Sequence, residues 1–266
     1  MEYLQTFYLA ILQGITEFLP ISSSGHLILM PALMGWKDQG LVFDVAVHVG
    51  TLIAVVIYFW SDLKQIVWDC IRVLGGAQET QYSRLGWMVA LASLMIAPIG
   101  MLLDSWIEGN LRSATAVAIA TMLFGLFLGL ADLTGKKERD IHSLEWKDAI
   151  VIGLSQILAL IPGTSRSGIT ITAGLMLGLS REAASRFSFL LAIPVIMFAG
   201  LWEARKLAVE EAAVNLGPLI FAVLVSAIVA YLCIHWFLRF VNRIGMIPFV
   251  IYRVFLGAFL FWYFVL

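Results

Sequence analysis

The chain has 266 residues, of which 61% are hydrophobic and only 13% are charged, and its formal net charge is −1. A water-soluble globular domain is about a quarter charged and under half apolar, so soluble, disordered and disulfide-scaffold classes are excluded. The near-neutral charge leaves no basic surface for a nucleic acid, and the cysteines Cys70 and Cys233 belong to no recognisable motif. We therefore expect a single membrane domain over residues 1–266.

The first apolar stretch, residues 3–35, is interrupted by the segment Glu-Phe-Leu-Pro-Ile-Ser-Ser-Ser-Gly-His, which runs from Glu17 to His26. Pro and Gly end helices, and Ser can satisfy the freed backbone groups, so the interruption predicts a helix break. A full span needs roughly 20 apolar residues, and each arm is shorter than that. The pattern is typical of a re-entrant hairpin, not of two complete spans.

Three transmembrane helices are predicted next, over 45–60, 85–103 and 113–131, because these runs carry almost no charge. A second broken stretch, residues 149–179, follows, and its interruption reads Ile-Pro-Gly-Thr-Ser-Arg-Ser-Gly from Ile161 to Gly168. Three further spans are predicted over 187–202, 212–238 and 244–266. Arg253 lies in the last span, where we expect it to snorkel or to pair within the bundle. The predicted fold is an all-α polytopic membrane protein with six spans and two re-entrant helical hairpins.

The two interruptions resemble each other. Pro20 aligns with Pro162, 142 residues later, and Ser23-Ser24-Gly25 resembles Arg166-Ser167-Gly168. Each half then contains one hairpin and three spans, and an odd number of spans inverts the second copy in the membrane. We predict two inverted-topology repeats, approximately 1–135 and 145–266, with a binding site where the matching breaks meet.

The distribution of Lys and Arg predicts the orientation. The loops on one side carry eleven of these residues, namely Lys64, Arg72, Arg84, Lys136, Lys137, Arg139, Lys147, Arg181, Arg186, Arg239 and Arg243. The other side carries Lys37, Arg112, Arg205 and Lys206. Since the richer side is usually cytoplasmic, both termini and the mouth of the first hairpin should face outward.

Ionisable residues within a membrane are costly and usually functional, and Glu17, His26 and Arg166 all lie at the breaks. Arg offers a planar fork of donors for phosphate oxygens, and each loop opens a helix whose free N–H groups attract anions. His26 could move a proton or attack phosphorus, and Glu17 could act as a base or bind a cation. The breaks therefore predict a site for phosphate chemistry.

Simpler structural explanations compete with this one. Arg166 and Glu17 could form a structural ion pair, and Asp44 and His48 could either join the site or merely hydrogen-bond within the bundle. Two pairs of glycines, Gly125 with Gly129 and Gly174 with Gly178, indicate packing seams within the chain first and homodimer contacts second.

Two motifs carry a family resemblance. The segment Gln13-Gly-Ile-Thr-Glu17, continuing through Ser-Ser-Ser-Gly-His26, and the segment Pro162-Gly-Thr-Ser-Arg-Ser-Gly-Ile-Thr170 both resemble motifs of the bacterial undecaprenyl-diphosphate phosphatases of the bacitracin-resistance type. Length and span order agree with that family as well. A second lipid-phosphatase family needs a His six residues after the motif Arg, where this chain has Thr172, so that family is rejected.

The resemblance implies a membrane hydrolase that removes the terminal phosphate of a C55 polyprenyl diphosphate and so recycles the carrier lipid for cell-wall synthesis. It implies a site on the outer side of the bacterial plasma (inner) membrane, and a divalent cation, Mg²⁺ or Ca²⁺, with Glu17 as a metal ligand. The catalytic roles fall on Glu17, Ser23, His26 and Arg166. The phosphate-binding set is Gln13, Ser22, Ser24, Gly25, Gly163, Thr164, Ser165, Ser167, Gly168 and Thr170.

The nucleophile stays open at this point. It could be Ser23, His26 or an activated water, and His26 is three positions from Ser23, within reach across one helical turn. The competing function is an inverted-repeat transporter or flippase for a polyprenyl phosphate, which would use the same anion pocket. We favour the enzyme because a binding protein has no need of the His, Glu and Ser combination.

Overall fold

A computed structural model describes residues 3–111, 113–207 and 216–265, with the side chains of 104–110, 114, 204, 206, 207 and 265 left aside. Within these ranges the chain is helical. The α-helices are α1 (Tyr3–Thr16), α2 (Ser23–Met34), α3 (Leu41–Tyr58), α4 (Trp60–Leu74), α5 (Gln81–Leu94), α6 (Ile96–Asn110), α7 (Ala114–Thr134), α8 (Trp146–Ser155), α9 (Arg166–Met176), α10 (Arg181–Leu207), α11 (Leu216–Ile244) and α12 (Ile247–Val265). Short 3₁₀ turns cover Ile141–Ser143 and Gln156–Leu160.

Six helical segments in the described part of the chain are long and apolar enough to cross a membrane, which confirms the six predicted spans. They are Leu41–Tyr58, Gln81–Leu103, Thr115–Thr134, Arg181–Glu203, Leu216–Ile244 and Ile247–Phe264. The fourth begins at Arg181 and not near residue 187, because the helix continues past the apolar run that hydropathy detects.

Both predicted helix breaks are present. The first arm pair is α1 and α2, with 14 and 12 residues, and the second is α8 and α9, with 10 and 11 residues. At 1.5 Å per residue each arm is at most about 21 Å long, which is short of the roughly 30 Å hydrocarbon core.

The segment 61–84, expected to be a loop, instead contains α4. Its apolar and charged residues are interspersed, with Ile66 and Asp69 buried while Val67, Trp68 and Ile71 are exposed, so no uncharged run marks the helix in the sequence. The helix packs along α5.

The long helices pack against one another across the two halves of the chain. Helix α11 packs against α3 and α1, and α5 packs against α8 and α10. Helix α3 also packs against α10, and α7 packs against α12.

The first predicted glycine seam packs within the chain, and the second does so only at Gly174. A Cβ on Gly125 would lie 2.9 Å from the Cβ of Arg253, and one on Gly129 would lie 3.2 Å from Val250, so this seam holds α7 against α12. A Cβ on Gly174 would lie 2.9 Å from that of Ala184 on α10, whereas Gly178 has a φ of 85° and its Cβ would come no closer than 3.7 Å to Arg139.

The end of the bundle that is rich in Lys and Arg is tied together by buried ion pairs. Arg181 bonds both carboxylate oxygens of Asp132, at 2.5 and 3.1 Å, and that carboxylate also accepts a bond from the backbone N–H of Met246. Arg139 donates to Asp148 at 2.6 Å. The hydrogen bond to the Asp148 carboxylate raises the pKa of Arg139.

Candidate active site

Glu17 is the centre of a polar constellation where the two breaks meet. It follows the last residue of α1, and its side chain is 6% exposed. One carboxylate oxygen, Oε1, accepts a bond from Nη2 of Arg166 at 2.7 Å. The other, Oε2, accepts from Ser23 Oγ at 2.6 Å and from Gln13 Nε2 at 2.9 Å. The structure therefore brings together Glu17, Ser23 and Arg166, as expected from the sequence.

The two breaks also touch directly. Ser167 Oγ, in the first turn of α9, donates a 2.8 Å hydrogen bond to the carbonyl of Leu19 in the first break. The predicted meeting of the two loop tips is thus present in the fold.

Two serines in matching positions adopt an unusual backbone conformation. Ser22 precedes α2 with φ of 74°, and Ser165 precedes α9 with φ of 71°. Such left-handed conformations cost a non-glycine residue on the order of 1–3 kcal/mol and are typical of functional loops. They turn the chain abruptly into each helix, so that the first residues of both helices line one cavity. The free N–H groups of a helix start favour an anion there.

The cavity has a volume of about 400 Å³. The predicted site residues that line it are Glu17, Ser22, Ser23, Ser24, Gly163, Ser165, Arg166 and Ser167. Three further ionisable residues line it as well, namely Asp44, His48 and Glu203. A carboxylate, a guanidinium and several hydroxyls therefore share one enclosure with mostly apolar walls.

His48 is the histidine that faces Glu17, so of the two placements left open by the sequence it joins the site. Its Nε2 lies 3.6 Å from Glu17 Oε2, and its Nδ1 donates to the backbone carbonyl of Asp44 at 2.7 Å. The Asp44 side chain accepts a bond from Gln39 at 2.9 Å. The sequence signal was the position of His48 one turn into the span that follows the first break.

His26 is placed differently from what the sequence suggested. It is 6% exposed and does not line the cavity. Its Nδ1 donates to the carbonyl of Ser22 at 2.7 Å, and its Nε2 bonds the hydroxyl of Tyr252 at 2.5 Å, with the two rings stacked. The pairing of Ser23 with His26 across one turn is therefore wrong, because both ring nitrogens of His26 are used elsewhere and Ser23 bonds Glu17.

The remaining predicted residues do not line the cavity. Gln13 and Thr164 are fully buried, and Gln13 Oε1 and Thr164 Oγ1 have no hydrogen-bond partner among the described atoms. Thr170 Oγ1 lies at hydrogen-bonding distance from two acceptors, the Arg166 carbonyl at 2.9 Å and Ser188 Oγ at 2.7 Å. A Cβ on Gly168 would lie 2.7 Å from Arg253 Nη1, whereas one on Gly25 would make only an ordinary contact of 3.5 Å with Ser22 Oγ.

Arg253 is fully buried and joins the two breaks, so of its two expected placements, snorkelling or partners within the bundle, the structure shows the second. Its guanidinium donates to four carbonyls: Thr121 at 3.1 Å, Pro20 at 3.2 Å, Gly163 at 2.9 Å and Thr164 at 2.8 Å. Pro20 belongs to the first break, and Gly163 and Thr164 belong to the second. A sequence shows a lone Arg in a span but not these partners.

The atoms at and near Glu17 include oxygen donors, the kind that a hard divalent cation prefers. They are too few to hold such a cation on their own. No group of three or more His, Cys, Asp or Glu side chains that could hold a metal lies within the described residues. The Glu17 carboxylate and the unpartnered Gln13 Oε1 are both oxygen donors. Mg²⁺ is commonly held by one or two carboxylates together with substrate phosphates and waters. The residues therefore fit a cation that a phosphate substrate helps to hold.

Comparison with known proteins agrees with these motifs. Residues 6–259 match the family described as bacitracin resistance protein BacA. The undecaprenyl-diphosphatase of Nitrosococcus oceani is 53% identical over 264 residues, covering 99% of this chain and all of that protein. The undecaprenyl-diphosphatase of Hahella chejuensis is 54% identical over 260 residues, 97% of each chain. Undecaprenyl-diphosphatase 1 of Pseudoalteromonas translucida is 51% identical over 258 residues, again 97% of each.

Proposed function

The chain belongs to the bacitracin resistance protein BacA family, and from that premise we propose that it hydrolyses undecaprenyl diphosphate. The products are undecaprenyl phosphate and inorganic phosphate, so the reaction returns a lipid carrier for cell-wall synthesis to its usable form. The polar cavity would hold the diphosphate group, and the polyprenyl chain of the lipid would extend into the membrane.

The observation that carries the proposal is the hydrogen bond of 2.6 Å from Ser23 Oγ to Glu17, beside Arg166. A hydroxyl bonded to a carboxylate is a nucleophile with its base, and a guanidinium next to it can stabilise the charge of a transferred phosphoryl group. A transporter for the same lipid would need the anion pocket but not the paired hydroxyl and carboxylate.

The geometry favours Ser23 as nucleophile. Its Oγ forms a bond to the terminal phosphorus, Glu17 accepts the proton, and the bond from that phosphorus to the bridging oxygen breaks. Undecaprenyl phosphate leaves with the electron pair of the broken bond. Water then hydrolyses the phosphoserine, which releases inorganic phosphate and restores the hydroxyl. The competing route, attack by a water that Glu17 deprotonates, needs no phosphoserine.

Arg166 has a double role in this scheme. Glu17 is bonded to one of its nitrogens, and the rest of the donor fork is left for phosphate oxygens. A diphosphate that binds Arg166 competes with Glu17 for the guanidinium. The Glu17 carboxylate is then free to take the proton of Ser23. The N–H groups at the starts of α2 and α9 add to the neutralisation of the phosphate charge.

We expect a divalent cation, Mg²⁺ or Ca²⁺, to be held by Glu17 and the unpartnered Gln13 Oε1 together with the substrate. When bound, such a cation neutralises charge on the phosphate oxygens. A homodimer would have to use surfaces other than the first glycine seam.

For the membrane arrangement we propose two inverted repeats with re-entrant hairpins, and a site open to the outer side of the plasma membrane. The strained serines that precede α2 and α9, Ser22 and Ser165, and the contacts of α3 with α10 and of α7 with α12 support the repeat. The cavity is lined by Leu41, at the start of α3, and Glu203, near the end of α10, away from the end with eleven basic residues. Of the residues counted for orientation, Arg112 lies outside the described residues.

The test is phosphate release by the purified protein in detergent. We expect it to release inorganic phosphate from undecaprenyl diphosphate, and we expect Glu17→Gln to abolish release while its thermal unfolding temperature stays within a few degrees. The absence of release in Mg²⁺ and in Ca²⁺, by a folded protein that binds the lipid, would overturn the enzyme assignment in favour of a carrier.

A further inference from the structure

A second, apolar cavity adjoins the polar one. It has a volume of about 190 Å³, and five of its lining residues also line the polar cavity, namely Ile96, Leu160, Val195, Ala199 and Glu203. The polar cavity and the apolar groove therefore share a wall and lie side by side.

The groove lies between two candidate spans, Gln81–Leu103 and Arg181–Glu203, near the C-terminal end of each. One wall is a single face of α6, with Ala97, Gly100 and Met101, and the other is a single face of α10, with Phe198 and Trp202. Met101 and Phe198 are 53% and 45% exposed, so the outer edge of the groove is open at the side of the bundle. A groove that opens between spans is reached from lipid and not from water.

We propose that this groove binds the first isoprene units of the polyprenyl chain. The inference rests on the proposed function, since it places the chain of a substrate whose diphosphate occupies the polar cavity. A lipid diphosphate matches the polar cavity and the adjoining apolar groove, because it consists of a charged head and an apolar branched chain attached directly to it. The small side chains at Ala97 and Gly100 leave the space that such a chain needs.

A rival groove lies among α2, α7 and α12. It has a volume of about 160 Å³, and its lining includes Ala32 and Phe264 together with Gly25 and Pro162 of the two breaks. It shares no lining residue with the polar cavity, whereas the first groove shares five, so the first groove is the more direct continuation of a bound diphosphate. It supplies a matched control for the experiment.

The experiment compares kcat and KM for undecaprenyl diphosphate and for a C5 prenyl diphosphate in Gly100→Phe, Met101→Trp and the control Ala32→Phe. A Cβ at Gly100 would lie 3.5 Å from Leu160, an ordinary contact, so the larger ring extends into the groove. Met101 is half exposed, which makes its replacement tolerable for folding. In the unmodified protein, kcat/KM should be at least tenfold higher for the C55 substrate.

We expect both groove variants to raise KM for the C55 substrate by about tenfold, the effect of losing roughly two buried methylene groups, without lowering kcat. Hydrolysis of the C5 substrate should change less than twofold, and Ala32→Phe should change neither. Equal kcat/KM for both chain lengths in the unmodified protein, unchanged KM in both groove variants, or a raised KM in Ala32→Phe would overturn the proposal. Failure of the proposed function is a separate result, because it would show as absent turnover in the unmodified protein.

Discussion

Arg166 donates a 2.7 Å hydrogen bond to Glu17 although 149 residues separate them in the chain. Neither residue lies in a complete span, since Glu17 follows α1 and Arg166 begins α9. The contact forms because the two helix breaks are brought tip to tip. Each break alone would be an ordinary interruption of an apolar helix, and only their meeting makes a site with a base, a hydroxyl and a cation.

The Ser23 hydroxyl should carry the phosphoryl group during turnover. Acid quenching within milliseconds, with substrate radiolabelled in its terminal phosphate, should leave label on a peptide that contains Ser23. Ser23→Ala should lose the label and nearly all turnover. Turnover by Ser23→Ala within tenfold of the unmodified rate would instead assign the attack to water.

The two histidines near the breaks should separate in their effects. His48→Gln removes the imidazole next to Glu17, so kcat/KM should fall by about tenfold or more with little change in thermal stability. His26→Gln and Tyr252→Phe remove the hydrogen bond between a buried imidazole and a partly exposed hydroxyl. Each should lower the free energy of unfolding by about 1 kcal/mol, while turnover falls less than in His48→Gln. The reverse ranking of the turnover losses would place His26 in the chemistry.

Arg253 should hold the two breaks in register. Arg253→Ala leaves four buried carbonyls without their donor, so the free energy of unfolding should fall by about 3 kcal/mol or more. Arg253→Lys keeps the charge but not the planar fork, and its stability should be intermediate. The exposed Arg239 offers a control, since Arg239→Ala should not shift the unfolding temperature measured in detergent. A stable and fully active Arg253→Ala protein would show that the breaks are held together by other contacts.

The orientation can be measured with reporter insertions. Fusions at residue 38 should report the outer side, and fusions at residues 78 and 140 should report the cytoplasm, because the loops near the latter carry most of the Lys and Arg. A cytoplasmic signal at residue 38 would reverse the topology and place the cavity on the inner side.

The spans and breaks follow from local sequence, whereas the contacts between them do not. Uncharged runs predict six spans, and the Pro, Gly and Ser clusters around Pro20 and Gly163 predict both interruptions. Helix α4 is missed because its charges are interspersed with apolar residues. The pairing of Glu17 with Arg166 is foreseeable because a buried cation and a buried carboxylate at matching breaks each need a partner.

The roles of the other polar residues depend on side-chain direction, which sequence spacing does not determine. His26 lies in the motif yet turns away from Ser23 towards Tyr252, on a helix 226 residues further along the chain. His48 lies outside both motifs yet faces Glu17. Arg253 looks like a solitary charge in a span, and only the folded chain shows the carbonyls that surround it.

The central claim is that Glu17 and Arg166 act together in hydrolysis and not merely as a structural ion pair. The deciding measurement is phosphate release from undecaprenyl diphosphate by Arg166→Lys and by the double variant Glu17→Gln with Arg166→Ala, with thermal unfolding measured alongside. Arg181→Lys is the control, because Arg181 makes a comparable ion pair with Asp132 at the other end of the bundle. We expect Arg166→Lys to fold and to lose about ten- to a thousandfold in kcat, and the double variant to stay inactive, while Arg181→Lys keeps its turnover. Normal turnover by Arg166→Lys, or recovery of turnover in the double variant, would contradict the account.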